Sequence, residues 1–152
     1  MENRSASLKK RICADRYISL VFVAIEFAIG MWQAVRLISE NDEFALKRSI
    51  HAFTGALAIF FIFMILSRVS KTGKPFDSTV INYLRAAALT IIVGGVLPFF
   101  ATMVLGVVKD SGFSIEIGNI DILIPLVGVA LGIVSEIFVY GRDLQEDNDL
   151  IA

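Results

Sequence analysis

The chain has 152 residues, of which 56% are hydrophobic and 12 are Phe, and its mean hydropathy of +0.73 lies well outside the range of a water-soluble globular domain. The formal charge is −1, from 14 basic and 15 acidic residues, so there is no net basic field for direct nucleic-acid binding and only the placement of charge is informative. Composition therefore defines an integral membrane protein whose first partner is the lipid bilayer. Its single cysteine, Cys13, excludes an internal disulfide and reads as an incidental juxtamembrane thiol.

Basic residues and one acid mark out four apolar runs. They cover 17–35, 49–67, 86–108 and 122–141, and each is close to the ~20 residues a helix needs to cross a bilayer. Lipid offers no partner for open backbone groups, so the runs are predicted to be transmembrane helices. The first run is long for a signal sequence, carries Glu26 at its centre and has no small-x-small cleavage pattern after it, so it is expected to stay as a signal-anchor helix. The predicted fold is all-α, with four transmembrane helices in one compact bundle and one domain over residues 1–152.

Within the first span, Glu26 lies midway between Arg16 and Arg36, near the bilayer centre. An ionised carboxylate facing lipid there costs about 2.5–3.5 kcal/mol, so the side chain is expected to face the other helices or to be protonated. Ser19, Glu26, Gly30 and Gln33 recur at helical spacing and form an inward polar stripe. Gln33, and His51 in the second span, are candidate partners for Glu26 or for each other. Two readings of Glu26 stay open: a proton- or cation-binding site, and a structural carboxyl that holds helix 1 in place. His51 has no companion at metal-ligand spacing, and no nucleophile with a base, phosphate loop or Cys/His cluster is present, so neither an enzyme nor a cofactor is expected.

The loop between the second and third spans reads "SKTGKPFDSTVINYLR". Gly73 is expected to stop helix 2, Lys74-Pro75 to force an extended turn, and Asp77 or Ser78 to cap helix 3. Phe76 is an apolar residue stranded among polar ones. In helix 3, Thr90, Gly94, Pro98, Thr102 and Gly106 recur every four residues, and in helix 4, Pro125, Gly128, Gly132 and Glu136 recur every three or four. Small residues at that spacing let helices approach closely in lipid, so helices 3 and 4 are expected to form a tight hairpin. Gly128-x-x-x-Gly132 also fits the face of a homo-oligomer. Pro98 is expected to bend helix 3, with neighbouring helices or Thr hydroxyls covering the freed carbonyl. Glu136, six residues before Arg142, lies far nearer the membrane edge than Glu26, and Arg85 or Arg142 is its expected partner.

Counting Lys and Arg orients the chain. Arg4, Lys9, Lys10, Arg11, Arg16, Arg68, Lys71, Lys74, Arg85 and Arg142 fall on one side, against Arg36, Lys47, Arg48 and Lys109 on the other. The excess places both termini and the middle loop in the cytoplasm, with the protein in the cell (inner) membrane.

The chain ends in "EIFVYGRDLQEDNDLIA", where an apolar helix runs on into carboxylates and amides. This ending, combined with the "GKPF" loop, resembles the YoaS-like family of small four-span bacterial membrane proteins of unknown function. Span number and loop placement extend the resemblance over essentially the whole chain. Gly73, Lys74, Pro75 and Phe76 match the loop motif, and Glu136, Ile137, Phe138, Gly141, Leu144, Gln145, Glu146, Asp149 and Leu150 match the tail. Val139-Tyr140 stands where such proteins commonly carry a basic pair, and Ile151-Ala152 departs from their usual small polar residue and Val. Genes of that family often neighbour a small Cro-like helix-turn-helix regulator, so the resemblance implies a DNA-binding protein as a cytosolic partner. It implies no catalytic mechanism.

Three functions are compatible with this sequence. One is a membrane-anchored regulator or sensor that binds a soluble partner through the middle loop, Arg85 and the acidic tail. Another is a small proton-coupled transporter using Glu26. The third is a structural or accessory subunit.

Overall fold

A computed structural model gives the fold. It describes residues 2–40, 42–108 and 121–151, with side chains over 10–40, 42, 44–108 and 121–148. Four helices follow in order: α1 (Glu2–Glu40), α2 (Glu43–Thr72), α3 (Ser78–Val108) and α4 (Leu123–Ile151). All four contain a stretch long and apolar enough to cross a membrane. Each helix except α3 at its end and α4 at its start outruns its predicted span, because hydropathy reports where lipid is and capping reports where a helix stops.

The caps are local chemistry. Asp42 precedes α2 in an extended conformation, and its carboxylate accepts a hydrogen bond from the Phe44 amide at 3.0 Å. Gly73 ends α2 with φ 66°, which only glycine adopts freely, and its N–H donates to the Val69 carbonyl at 2.8 Å. Asp77 starts α3, its own carbonyl accepting from the Ile81 amide at 3.1 Å.

The helices pack in chain order, α1 on α2, α2 on α3 and α3 on α4, with at most marginal contact between any other pair. The bundle is therefore open, and most of its large apolar side chains remain exposed on the outside, among them Phe22, Trp32, Leu89 and Leu126. Such a surface is stable only in lipid. The seams are lined by small residues: Ala45, Ala52, Ala56, Ala58, Ala87 and Ala88 make up most of the buried core. This is how helices associate where burial of apolar surface supplies little.

The small-residue stripe of α3 turns Gly94 towards α2, and it is Gly95, outside the stripe, that meets α4. A Cβ at Gly94 would lie 2.7 Å from Thr54 Cβ on α2, whereas a Cβ at Gly95 would collide with the Pro125 ring on α4. Gly128 seats on the α3 backbone, where an added Cβ would meet the Ala88 carbonyl oxygen at 2.9 Å. Gly132 is looser, with only Ala88 Cβ at 4.0 Å. Thus the α3–α4 hairpin forms within one chain, through Gly95 and Gly128 rather than through the whole four-residue stripe. Pro98 is buried inside α3, and the Thr102 hydroxyl donates to the carbonyls of Pro98 and Phe99, both at 3.0 Å.

Candidate functional site

Two regions gather the polar residues singled out in the sequence. The first lies at the end of the molecule that carries the α2–α3 loop and the α4 tail. Phe76 is not stranded there. Its ring packs edge-to-face on Phe138 of α4, with centroids 5.2 Å apart at 65°. The same ring lies over Gly141, where an added Cβ would sit 3.1 Å from Cε1. The "GKPF" loop and the "EIF-x-x-G" segment are thus two halves of one contact, and Phe76 is half-buried in it.

The loop is also tied back to α2. Arg68 donates from Nε to Asp77 Oδ2 at 2.6 Å, and this hydrogen bond holds the Asp77 carboxyl below its ordinary value. The Lys74 amide donates to Thr72 Oγ1 at 3.2 Å. Beyond the Phe76 ring the loop and tail enclose a cleft of about 400 Å³, lined by Lys74, Phe76, Asp77, Ser78, Arg142, Gln145 and Glu146. Arg142 pairs within the tail, to Asp143 at 2.9 Å and Glu146 at 3.5 Å.

Of the expected partner-binding residues, Lys74, Phe76, Gln145 and Glu146 line this cleft and Gly141 supports it. Gly73 and Pro75 are exposed turn residues outside the lining, and Leu144 is exposed on another part of the tail. Arg85 is engaged elsewhere: its Nε and Nη2 donate to Glu136 Oε1 at 3.2 and 2.8 Å, linking α3 to α4. The Glu136 carboxylate is mostly exposed despite this pairing. The side chains of Asp149 and Leu150, and of Arg4 and Lys9 in the basic count, lie outside the described ones, and Lys109 lies outside the described residues altogether. Sequence reasoning treated Asp77 and Ser78 only as caps and missed their place in the cleft. The ion pair from Arg68, nine residues earlier, was the available signal.

The second region is the seam between α1 and α2. The polar stripe of α1 does face α2: Ser19 and Gly30 are buried, and Ser49 donates to the Gly30 carbonyl at 3.2 Å. The Glu26 carboxyl is half-buried beside Gly55, whose missing side chain leaves it room; a Cβ there would lie 3.8 Å from Oε2. Glu26 has no hydrogen bond or ion pair among the described residues. Neither Gln33 nor His51 serves it, and the two do not pair with each other. Gln33 Oε1 and His51 Nε2 are each shielded without a partner. The His51 ring instead faces the backbone of Gly94 on α3, with Lys47 and Asp121 as its charged neighbours. Gly94 carries the carbonyl that Pro98, four residues on, cannot pair with, which explains why an imidazole is tolerated there. No group of His, Cys, Asp and Glu able to hold a metal occurs among the described residues.

No curated protein and no solved structure matches this chain. A family profile does match, over residues 48–151, which takes in α2 to α4 with both halves of the Phe76 contact. The chain belongs to that family, described as a protein of unknown function (DUF2975).

Proposed function

We propose that this protein is a non-catalytic membrane anchor for a cytosolic partner, which it holds at the cleft between its middle loop and its C-terminal tail. The supporting observation is that two segments more than sixty residues apart in sequence are locked together by Phe76, Phe138 and Gly141, and that a charged cleft opens beside the lock. A loop that only joined two helices would not need that contact. Beyond the lock the tail continues as helix, and its one base, Arg142, is spent on Asp143 and Glu146. What remains is an acidic surface suited to a basic partner.

The resemblance to the YoaS-like family points to a small helix-turn-helix regulator, whose DNA-reading face is rich in Lys and Arg. Held by the tail, such a protein is kept off its operator. The basic excess puts loop, tail and both termini on the cytoplasmic side of the cell membrane, where a regulator is found. The test uses the purified full-length protein in detergent and the helix-turn-helix protein encoded beside its gene. Capture is expected at low salt, weakening as the screening length falls to ~10 Å at 0.1 M, and lost in Glu146→Lys and after truncation at Tyr140. Equal capture by all three forms rejects the reading.

Glu26 supports a second reading, proton-coupled transport, because its half-buried carboxyl has no partner among the described residues to make it merely structural. In liposomes, Glu26→Gln should then abolish a pH-dependent flux. A silent substitution leaves Glu26 as a packing residue of the α1–α2 seam.

A further inference from the structure

At the end of the molecule that bears the loop and tail, the arginines divide into two kinds. Arg68, Arg85 and Arg142 each meet a carboxylate, in Asp77, Glu136 and Asp143 with Glu146. Arg16 on α1 does not. Its guanidinium lies over the Phe63 ring of α2, 5.6 Å from the centroid, and its Nε is shielded from water with no hydrogen-bond partner among the described residues. One turn further along the same face of α2, Ser67 has a shielded hydroxyl that likewise has no partner among the described residues. Serines in helices commonly return their hydroxyl to a carbonyl of the preceding turn, as Ser19 and Ser135 do here. Ser67 forgoes that bond.

We infer that this end of the α1–α2 seam is a binding site for the phosphate group of an anionic phospholipid, held by Arg16 and Ser67. The two Nη groups of Arg16, which unlike its Nε are not shielded, present a planar fork that matches two phosphate oxygens, and the half-buried Ser67 adds a third donor when its hydroxyl turns outward. The surroundings are those of an amphiphile at a membrane boundary. Towards the helix interior α1 exposes Tyr17, Ile18, Val21 and Phe22, a wall for acyl chains. Towards its N-terminus it exposes Lys10 and Arg11, and α2 exposes Lys71, none of them ion-paired among the described residues. That rim attracts net negative headgroups and repels the ammonium of a choline lipid. A soluble phosphate would use the same donors but leave the apolar wall unused.

The experiment is native mass spectrometry of the full-length protein in detergent, with phosphatidylglycerol, phosphatidylcholine or inorganic phosphate added in separate arms. Retention of phosphatidylglycerol over phosphatidylcholine is expected, reduced about tenfold by Arg16→Gln and several-fold by Ser67→Ala. Arg48→Gln, which removes an exposed cation at the opposite end of α2, should keep the preference. Circular dichroism confirms that each variant is folded. Retention of both lipids equally, or an Arg16→Gln protein that behaves as wild type, overturns the site. Displacement by inorganic phosphate with no preference between lipids overturns the lipid source and assigns the donors to a soluble phosphate. None of these outcomes touches the loop–tail cleft, so the two proposals fail separately.

Discussion

The ring of Phe76 rests on the backbone of Gly141, so close that a Cβ there would sit 3.1 Å from Cε1 and 3.3 Å from Cδ1. Glycine inside a helix ordinarily costs about 1 kcal/mol relative to alanine, and this contact explains its presence. Gly141→Ala should be nearly neutral, since the ring can shift a few tenths of an ångström while the helix gains propensity. Gly141→Val should push the ring off Phe138. In a double-mutant cycle of Phe76→Ala and Phe138→Ala, chemical unfolding in detergent is expected to show a coupling of about 0.5–1.5 kcal/mol. Additive effects would mean that the loop and tail are neighbours without being locked.

The limits of sequence reading show at the same residues. Depth alone offers Glu136 either Arg85 or Arg142, because one rise per residue fixes how far a side chain lies from the membrane edge, and the structure pairs it with Arg85. Gly73 was recognised as a helix stop because its conformation is a local property. Phe76 was misread as stranded, since its partners lie over sixty positions away and no local pattern records them. The α3 stripe misled for a geometric reason: a step of four residues advances about 40° around a helix, so a long stripe winds from one neighbour to the next. Gly95, outside the stripe, was therefore missed as the residue that meets Pro125. The pairing of Glu26 with Gly55 was equally hidden, because the signal is an absent side chain on another helix.

The Asp77 carboxyl accepts a hydrogen bond from Arg68, and its folded-state pKa is thereby lowered. A group of this kind contributes stability that is present above the unfolded value and is lost as pH falls through the lower folded value. Wild type should therefore be more stable than Asp77→Asn at pH 7, and the two should converge in acid, below about pH 4. Unfolding midpoints of both proteins across that range provide the measurement. A constant gap between them would assign the effect to capping of α3 and not to the ion pair.

Arg85 and Glu136 join α3 to α4 through a single carboxylate oxygen, and both side chains are about half or more exposed, at 49% and 63%. Exposure limits what the pair is worth. Glu136→Gln is expected to cost under about 1 kcal/mol, with the difference shrinking in salt. The charge-swapped double variant, Arg85→Glu with Glu136→Arg, should recover most of the loss, which neither single reversal does. Equal thermal stability of all five proteins in detergent, wild type included, would show that the helices are held by packing alone.

Gly128 and Gly132 look equivalent in the sequence, one turn apart in a small-xxx-small pattern, yet they should respond oppositely to the same substitution. At Gly128 an added Cβ would meet the Ala88 carbonyl oxygen and the Ile92 amide nitrogen, both at 2.9 Å, and backbone atoms cannot turn aside as a side chain can. At Gly132 the nearest atom would be Ala88 Cβ at 4.0 Å, an ordinary contact. Gly128→Ala must therefore part α3 from α4, at a cost of about 1–3 kcal/mol for overpacking. Gly132→Ala meets no obstacle and gains helix propensity of up to about 1 kcal/mol. Thermal unfolding of the two variants in the same detergent should place Gly128→Ala below wild type and Gly132→Ala at or above it. The reverse order would mean that the face of α4 at Gly132, not that at Gly128, carries the close approach.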